Sequence, residues 1–195
     1  DMEVITGVPP AEYGDKSSLV VHIITRSGLG QSRPSGTVSF GAGSFADRSG
    51  DLTLGAGSAR VGNFASVSGT RTDRYLDPPE REALHDRGHS IGLFDRLDVQ
   101  TADGQTLRLN LQVARSGFDV PNTYDTVDRD QHQSIASFNI APSYTRVMGA
   151  RAVFTANAFA RRDRLQYRPS ADLFADTPAT VSQDRSLTNL GIKAD

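Results

Sequence analysis

Thr106-Leu-Arg-Leu-Asn-Leu-Gln-Val-Ala-Arg115 alternates apolar and polar residues with a period of two. Side chains along an extended strand point alternately to opposite faces. Leu107, Leu109, Leu111 and Val113 therefore project one way, and Arg108, Asn110 and Gln112 the other. The segment predicts a strand with one greasy face and one strongly polar face.

The same pattern extends outward from this stretch. Val38, Phe40 and Ala42 oppose Thr37, Ser39 and Gly41; Ala136, Phe138 and Ile140 oppose Ser137 and Asn139; Ala152, Phe154, Ala156, Ala158 and Ala160 oppose Thr155 and Asn157. Eight strands are expected near 36–46, 50–59, 62–73, 89–100, 105–116, 133–146, 150–167 and 184–195. Their connections alternate in kind. Thr101-Ala-Asp-Gly104 and Met148-Gly-Ala150 are tight turns, whereas 74–88, 117–132 and 168–183 are long, polar and rich in Pro or charge. A first loop is expected at about Asp47 to Ser49. Short turns at one end and long loops at the other are the asymmetry of outer-membrane barrels, and Tyr144 and Phe154 flank a tight turn where an aromatic girdle would meet the interface. A soluble antiparallel sheet also has two unlike faces, so a β-sandwich or jelly roll binding module stands as the alternative.

Composition narrows the function classes. The chain of 195 residues is 37% hydrophobic and 23% charged, within the range of folded proteins. No apolar run approaches the roughly 20 residues of a membrane helix, although membrane strands need only about 10 residues of alternating polarity. A formal net charge of -2 provides no basic field for nucleic acid, which is not an expected partner. With no cysteine there is neither a disulfide framework nor a thiolate metal site. No charged and then apolar leader opens the sequence, so a secretory signal would have to lie upstream.

The N-terminal part carries a family resemblance. Glu3-Val-Ile-Thr-Gly7, Ala11-Glu-Tyr-Gly14 and Val20-Val-His-Ile-Ile-Thr-Arg-Ser-Gly28 resemble the closing segment of the plug domain of TonB-dependent outer-membrane receptors. Gly14 suits a turn with positive φ, and Val20 to Ile24 form a β-branched run fit for a small buried sheet. Gly36-Thr-Val-Ser-Phe-Gly-Ala-Gly-Ser-Phe45 resembles the first barrel strand, where glycine permits close approach to a plug. Three features depart from the family pattern, the first being that the loop at about Asp47 to Ser49 is short although the topology would place it outside the cell. Lys16-Ser-Ser-Leu-Val20 lacks a Gly-Gly pair, and Asp95 interrupts the apolar face formed by Ile91, Leu93, Leu97 and Val99.

The resemblance implies an all-β fold: residues 1–30 as the C-terminal part of a plug, and residues 31–195 as the N-terminal part of a transmembrane antiparallel β-barrel. About eight strands would belong to a larger barrel, since such transporters have about 22. The implied function is energised uptake of a scarce ligand, a ferric siderophore, haem, cobalamin or an oligosaccharide, across the bacterial outer membrane. The implied partners are the TonB complex, outer-membrane lipid and the small-molecule ligand. No enzymatic activity, cofactor or metal is expected, and the candidates for plug-facing or ligand-facing lumen residues are Arg108, Asn110, Gln112 and Asn157.

Three other signals compete. Gly88-His-Ser-Ile-Gly92 matches G-x-S-x-G, but a nucleophile elbow needs a strand, a sharp turn and a helix, whereas Ser90 opens an alternating strand. His85 and His89 stand four apart on a loop bracketed by Pro78, Pro79 and Gly88, with no third ligand evident nearby, and read as solvated histidines. Arg161, Arg162, Asp163 and Arg164 read as a solvated charged rim.

Overall fold

The computed structural model describes residues 2–6, 19–172, 174–176 and 181–195. Alternating sequence yields strands, and the turns between them bring sequence neighbours together as spatial neighbours. β1 (Met2–Thr6) and β2 (Leu19–Ile23) pair antiparallel as a separate two-stranded sheet. Then come β3 (Ser35–Ala42), β4 (Arg48–Gly57), β5 (Val61–Thr72), β6 (Gly88–Ala102), β7 (Gln105–Asp119), β8 (His132–Met148), β9 (Ala152–Arg168) and β10 (Gln183–Ala194). These eight form one antiparallel meander in sequence order, open at β3 and β10. The turn expected at Gly14 lies outside the described residues.

Residues opposite each other across an antiparallel ladder share a face. The registers therefore sort every side chain. Arg108 lies opposite Asp98 on one side and Ser143 on the other, and the row continues through Asn157 to Lys193 and, on the other flank, through Gly62 to Gly57. This polar face also carries Thr37, Thr53, Ser66, Ser68 and Ser90, and is interrupted by the ring pair Phe64–Phe94, with centroids 6.5 Å apart. The opposite face collects Val38, Phe40, Leu52, Leu54, Val67, Leu93, Leu107, Leu109, Phe138, Leu190 and Ile192.

Among the described residues no aliphatic or aromatic side chain other than that of Pro78 is buried. Phe40 is 87% exposed and Ile192 88%. Asp95 does fall on the apolar face, where the Asn63 amide donates to it at 2.9 Å, so one polar pair is satisfied within the greasy surface.

The connections alternate in length. Three at one end span 58–60, 103–104 and 149–151, with Gly104 (φ +70°) and Gly149 (φ +66°) in the left-handed region that glycine tolerates best. At the other end they span 43–47, 73–87, 120–131 and 169–182. The first differs from expectation: β3 ends at Ala42, and Arg48 and Ser49 already belong to β4. The chain reverses over Gly43 to Asp47 instead. Phe45 and Ala46 both take positive φ (58° and 53°), and the Gly43 amide donates to the Asp47 carbonyl at 3.0 Å. Two apolar residues in that conformation gave no turn signal. Their placement is supported by tertiary contacts: the Asp73 amide donates to the Phe45 carbonyl at 2.8 Å, and the Arg74 guanidinium sits 5.2 Å from the Phe45 ring centroid.

The segment between β2 and β3 crosses the short-turn end of the sheet. A Cβ on Gly62 would stand 2.0 Å from the Leu29 nitrogen, and one on Gly28 would stand 2.1 Å from the Asn63 carbonyl oxygen. Backbone meets backbone there, and only glycine permits it. Gly62→Ala will therefore push this segment off the sheet, at a cost on the order of 1–3 kcal/mol. Trypsin cleavage after Arg26 should rise by roughly 5- to 150-fold in limited proteolysis, while Gly69→Ala, where a Cβ meets nothing nearer than 3.6 Å, should leave it unchanged.

Candidate functional site

The crossing segment is fastened to the polar face by charge. Asp98, on β6, is 1% exposed and Arg96, two positions away on the same face, is 8% exposed. Residues i and i+2 of a strand share a face, which lets the Arg96 guanidinium fold back onto the carboxylate: Nε donates to Asp98 Oδ2 at 2.7 Å and Nη2 to Oδ1 at 3.1 Å. Arg108, directly opposite on β7, donates from Nε to Asp98 Oδ1 at 3.0 Å.

The remaining contacts reach the N-terminal side. The Ser27 hydroxyl donates to Asp98 Oδ2. Arg96 Nη1 donates to the Thr25 carbonyl at 2.6 Å and to Thr25 Oγ1 at 2.9 Å. Two arginines thus converge on one buried carboxylate, and the surplus donors of Arg96 hold the backbone of the segment that precedes the sheet.

Of the four residues expected on this face, all share it. Arg108 and Asn157 occupy one cross-strand row, separated by Ser143. Asn110 lies opposite Arg96, and its Oδ1 is buried without a hydrogen-bond partner. Gln112 lies one step further along, between Phe94 and Asn139. Only Arg108 joins the Asp98 network. Sequence reading placed the face correctly but missed Arg96 and Asp98. Their two-residue spacing on a strand, charge of opposite sign on one face, was the available signal.

The competing motifs are placed as follows. Ser90 lies within β6 and its hydroxyl is 2.8 Å from that of Thr70 on β5, so the G-x-S-x-G stretch is strand rather than a strand-to-helix turn. Gly88 makes room for Tyr75, whose ring atoms would come within 2.2 Å of a Cβ there, and Tyr75 stacks on Phe118 at 5.4 Å. The 161–164 run is divided by strand alternation. Arg161 pairs with Asp163 (2.8 and 3.2 Å), which also accepts from Ser137, while Arg164 on the opposite face pairs with Asp184 across on β10. His85 does not meet His89. The long connections bring it to Asp130 and His132 instead.

Comparison with protein-family models, with curated proteins and with solved structures finds no match.

Removing the carboxylate at the centre leaves Arg96 buried without its counter-charge, so Asp98→Ala should weaken docking of residues 25–31 by about 3–5 kcal/mol. Arg108→Ala removes a partner that is 43% exposed and should cost about 1 kcal/mol or less. Hydrogen exchange of the peptide containing the Leu29, Gly30 and Gln31 amides measures both. Equal loss of protection in the two variants would show that Asp98 is not the anchor.

Proposed function

We propose that the chain is part of a TonB-dependent outer-membrane receptor, with residues 1–30 the end of the plug and residues 31–195 the first strands of the barrel wall. The observation that carries this reading is an eight-stranded antiparallel meander with no buried hydrophobic core, whose apolar residues gather mainly on one face, while its opposite, mainly polar face holds the segment arriving from the N-terminal side. A soluble sheet buries its apolar face. A membrane wall presents it to lipid, and from β4 onward every strand has the 10 or more residues that crossing with tilt requires. Among the described residues no second sheet covers the apolar face, which is what a β-sandwich would need.

The open edges extend the reading. In hydrocarbon each unpaired backbone amide or carbonyl costs several kcal/mol, so β3 and β10 call for further strands to complete a closed wall. The long connections would then lie outside the cell and the short turns in the periplasm. Asp98, Arg96 and Arg108 would tie the end of the plug to the inner wall, and the partnerless oxygen of Asn110, with Gln112 and Asn157, would offer hydrogen bonds to plug, water or ligand in transit. The ligand is bound at the outer side and admitted when the energised TonB complex rearranges the plug. No bond is made or broken in the ligand.

In cells carrying the intact gene, accumulation of one of a panel of ferric siderophores, haem, cobalamin and oligosaccharides should depend on that gene and collapse when an uncoupler removes the proton-motive force. Recovery of the protein in the soluble fraction, or uptake indifferent to the uncoupler for every ligand that requires the gene, would refute the proposal.

A further inference from the structure

The long-connection end contains a second polar cluster, built from four residues far apart in sequence. His85 comes from the 73–87 connection, Asp119 ends β7, Asp130 lies in the 120–131 connection and His132 opens β8. Cross-ties between connections fix these positions: the Asn122 amide donates to the Leu84 carbonyl at 2.9 Å, and the Asp130 amide donates to Ser170 Oγ at 2.8 Å. His85 itself is held at φ +52°, a conformation that a non-glycine residue adopts only when its surroundings impose it.

The donor and acceptor count does not close with neutral rings. His85 Nδ1 lies 3.0 Å from the Val120 carbonyl oxygen, so that nitrogen carries the ring proton. Its Nε2 lone pair then faces Asp130 Oδ1 at 2.8 Å. His132 repeats the pattern, with Nδ1 2.7 Å from Asp119 Oδ1 and Nε2 2.9 Å from the same Asp130 Oδ1. Two imidazole nitrogens and a carboxylate oxygen converge within 4.8 Å of one another. The Asp119 carboxylate, 8% exposed as a residue, keeps Oδ2 buried beside them, 3.4 Å from Arg87 Nε but without a hydrogen bond.

We propose that His85, Asp130 and His132 form a binding site for a divalent transition-metal ion of the zinc type, with Asp119 orienting His132. A cation between these atoms converts every opposed lone pair into a ligand. The two outward contacts are those that metal-bound histidines make: His85 donates Nδ1–H to a backbone carbonyl and His132 donates Nδ1–H to a carboxylate, leaving both Nε2 atoms to ligate. Arg87 Nε lies 3.4 Å from Asp119 Oδ2 and offsets that carboxylate, and a divalent ion would neutralise Asp130. Two imidazoles and one carboxylate suit zinc or a similar ion, not the all-oxygen preference of Mg2+ or Ca2+. Asp130 is 57% exposed whereas His85 is 14%, so the fourth coordination position opens to solvent and the ion can exchange. The site rests on loop geometry and stands independently of the transport reading.

The test is calorimetric titration of the full-length protein with Zn2+, with hydrogen exchange measured on the same sample. One saturable site per chain is expected, with protection gained at 84–86 and 119–132. Asp130→Asn and His85→Asn, the latter chosen because asparagine tolerates positive φ, should each weaken binding at least ~10-fold. His89→Ala, outside the cluster, should bind as the wild type does. Excess Mg2+ should not displace Zn2+. The assignment is overturned if the wild-type protein shows no one-to-one binding, if Asp130→Asn and His85→Asn bind normally, if His89→Ala loses as much as they do, or if Mg2+ competes.

Discussion

An eight-stranded sheet with no hydrophobic core among the described residues is the constraint on which the rest of this molecule depends. Hydrophobic burial ordinarily dominates the favourable side of folding. Here most of the apolar residues stand on one face, from Val38 and Phe40 on β3 to Leu190 and Ile192 on β10, and they remain accessible. Either a second layer or a non-aqueous surrounding must cover them. The described residues supply no such layer, and a predominantly two-faced alternation is what a wall between lipid and a polar interior would require.

With no apolar core, the buried groups are polar, and they lie at the two ends of the sheet. At the short-turn end, Asp98 and Arg96 fix the crossing segment, with glycines at 28 and 62 allowing the backbones to touch. At the long-connection end, Asp86, Asp119, Asn122, Ser170 and Asp176 are buried within the connections themselves. Asp86 caps the Tyr75–Leu76 turn through its carboxylate and backbone, and Asp176 holds the Ser170 amide and hydroxyl. Long connections that would otherwise be loose are tied by charge-assisted bonds, which is how the His85 cluster comes to be assembled at all.

Much of the sheet was legible in the sequence because strand alternation is a local signal. All eight expected strands are present, their bounds shifted most at β3, which ends at Ala42, and Arg108, Asn110, Gln112 and Asn157 share one face in the registers. What was not legible depends on tertiary contact. The Gly43 to Asp47 reversal uses apolar residues whose conformation is held by the neighbouring hairpin. Thr25 and Ser27 meet Arg96 and Asp98 from 71 residues away, and His85 meets Asp130 from 45 residues away. Spacing along a loop suggested His85 with His89. The fold selects His132 instead, since β6 carries His89 onto the apolar face.

Lipid contact along one face is the central claim, and the chain contains no cysteine, so single labels can be placed at will. Spin labels at Leu107→Cys, Arg108→Cys, Leu109→Cys, Asn110→Cys and Leu111→Cys in the bilayer-reconstituted protein read the environment residue by residue. Relaxation by dissolved oxygen, which concentrates in hydrocarbon, should be strong at 107, 109 and 111, and relaxation by a water-soluble nickel chelate strong at 108 and 110. A pattern without this alternation, or leucine positions shielded from both reagents as in a protein core, would contradict the account.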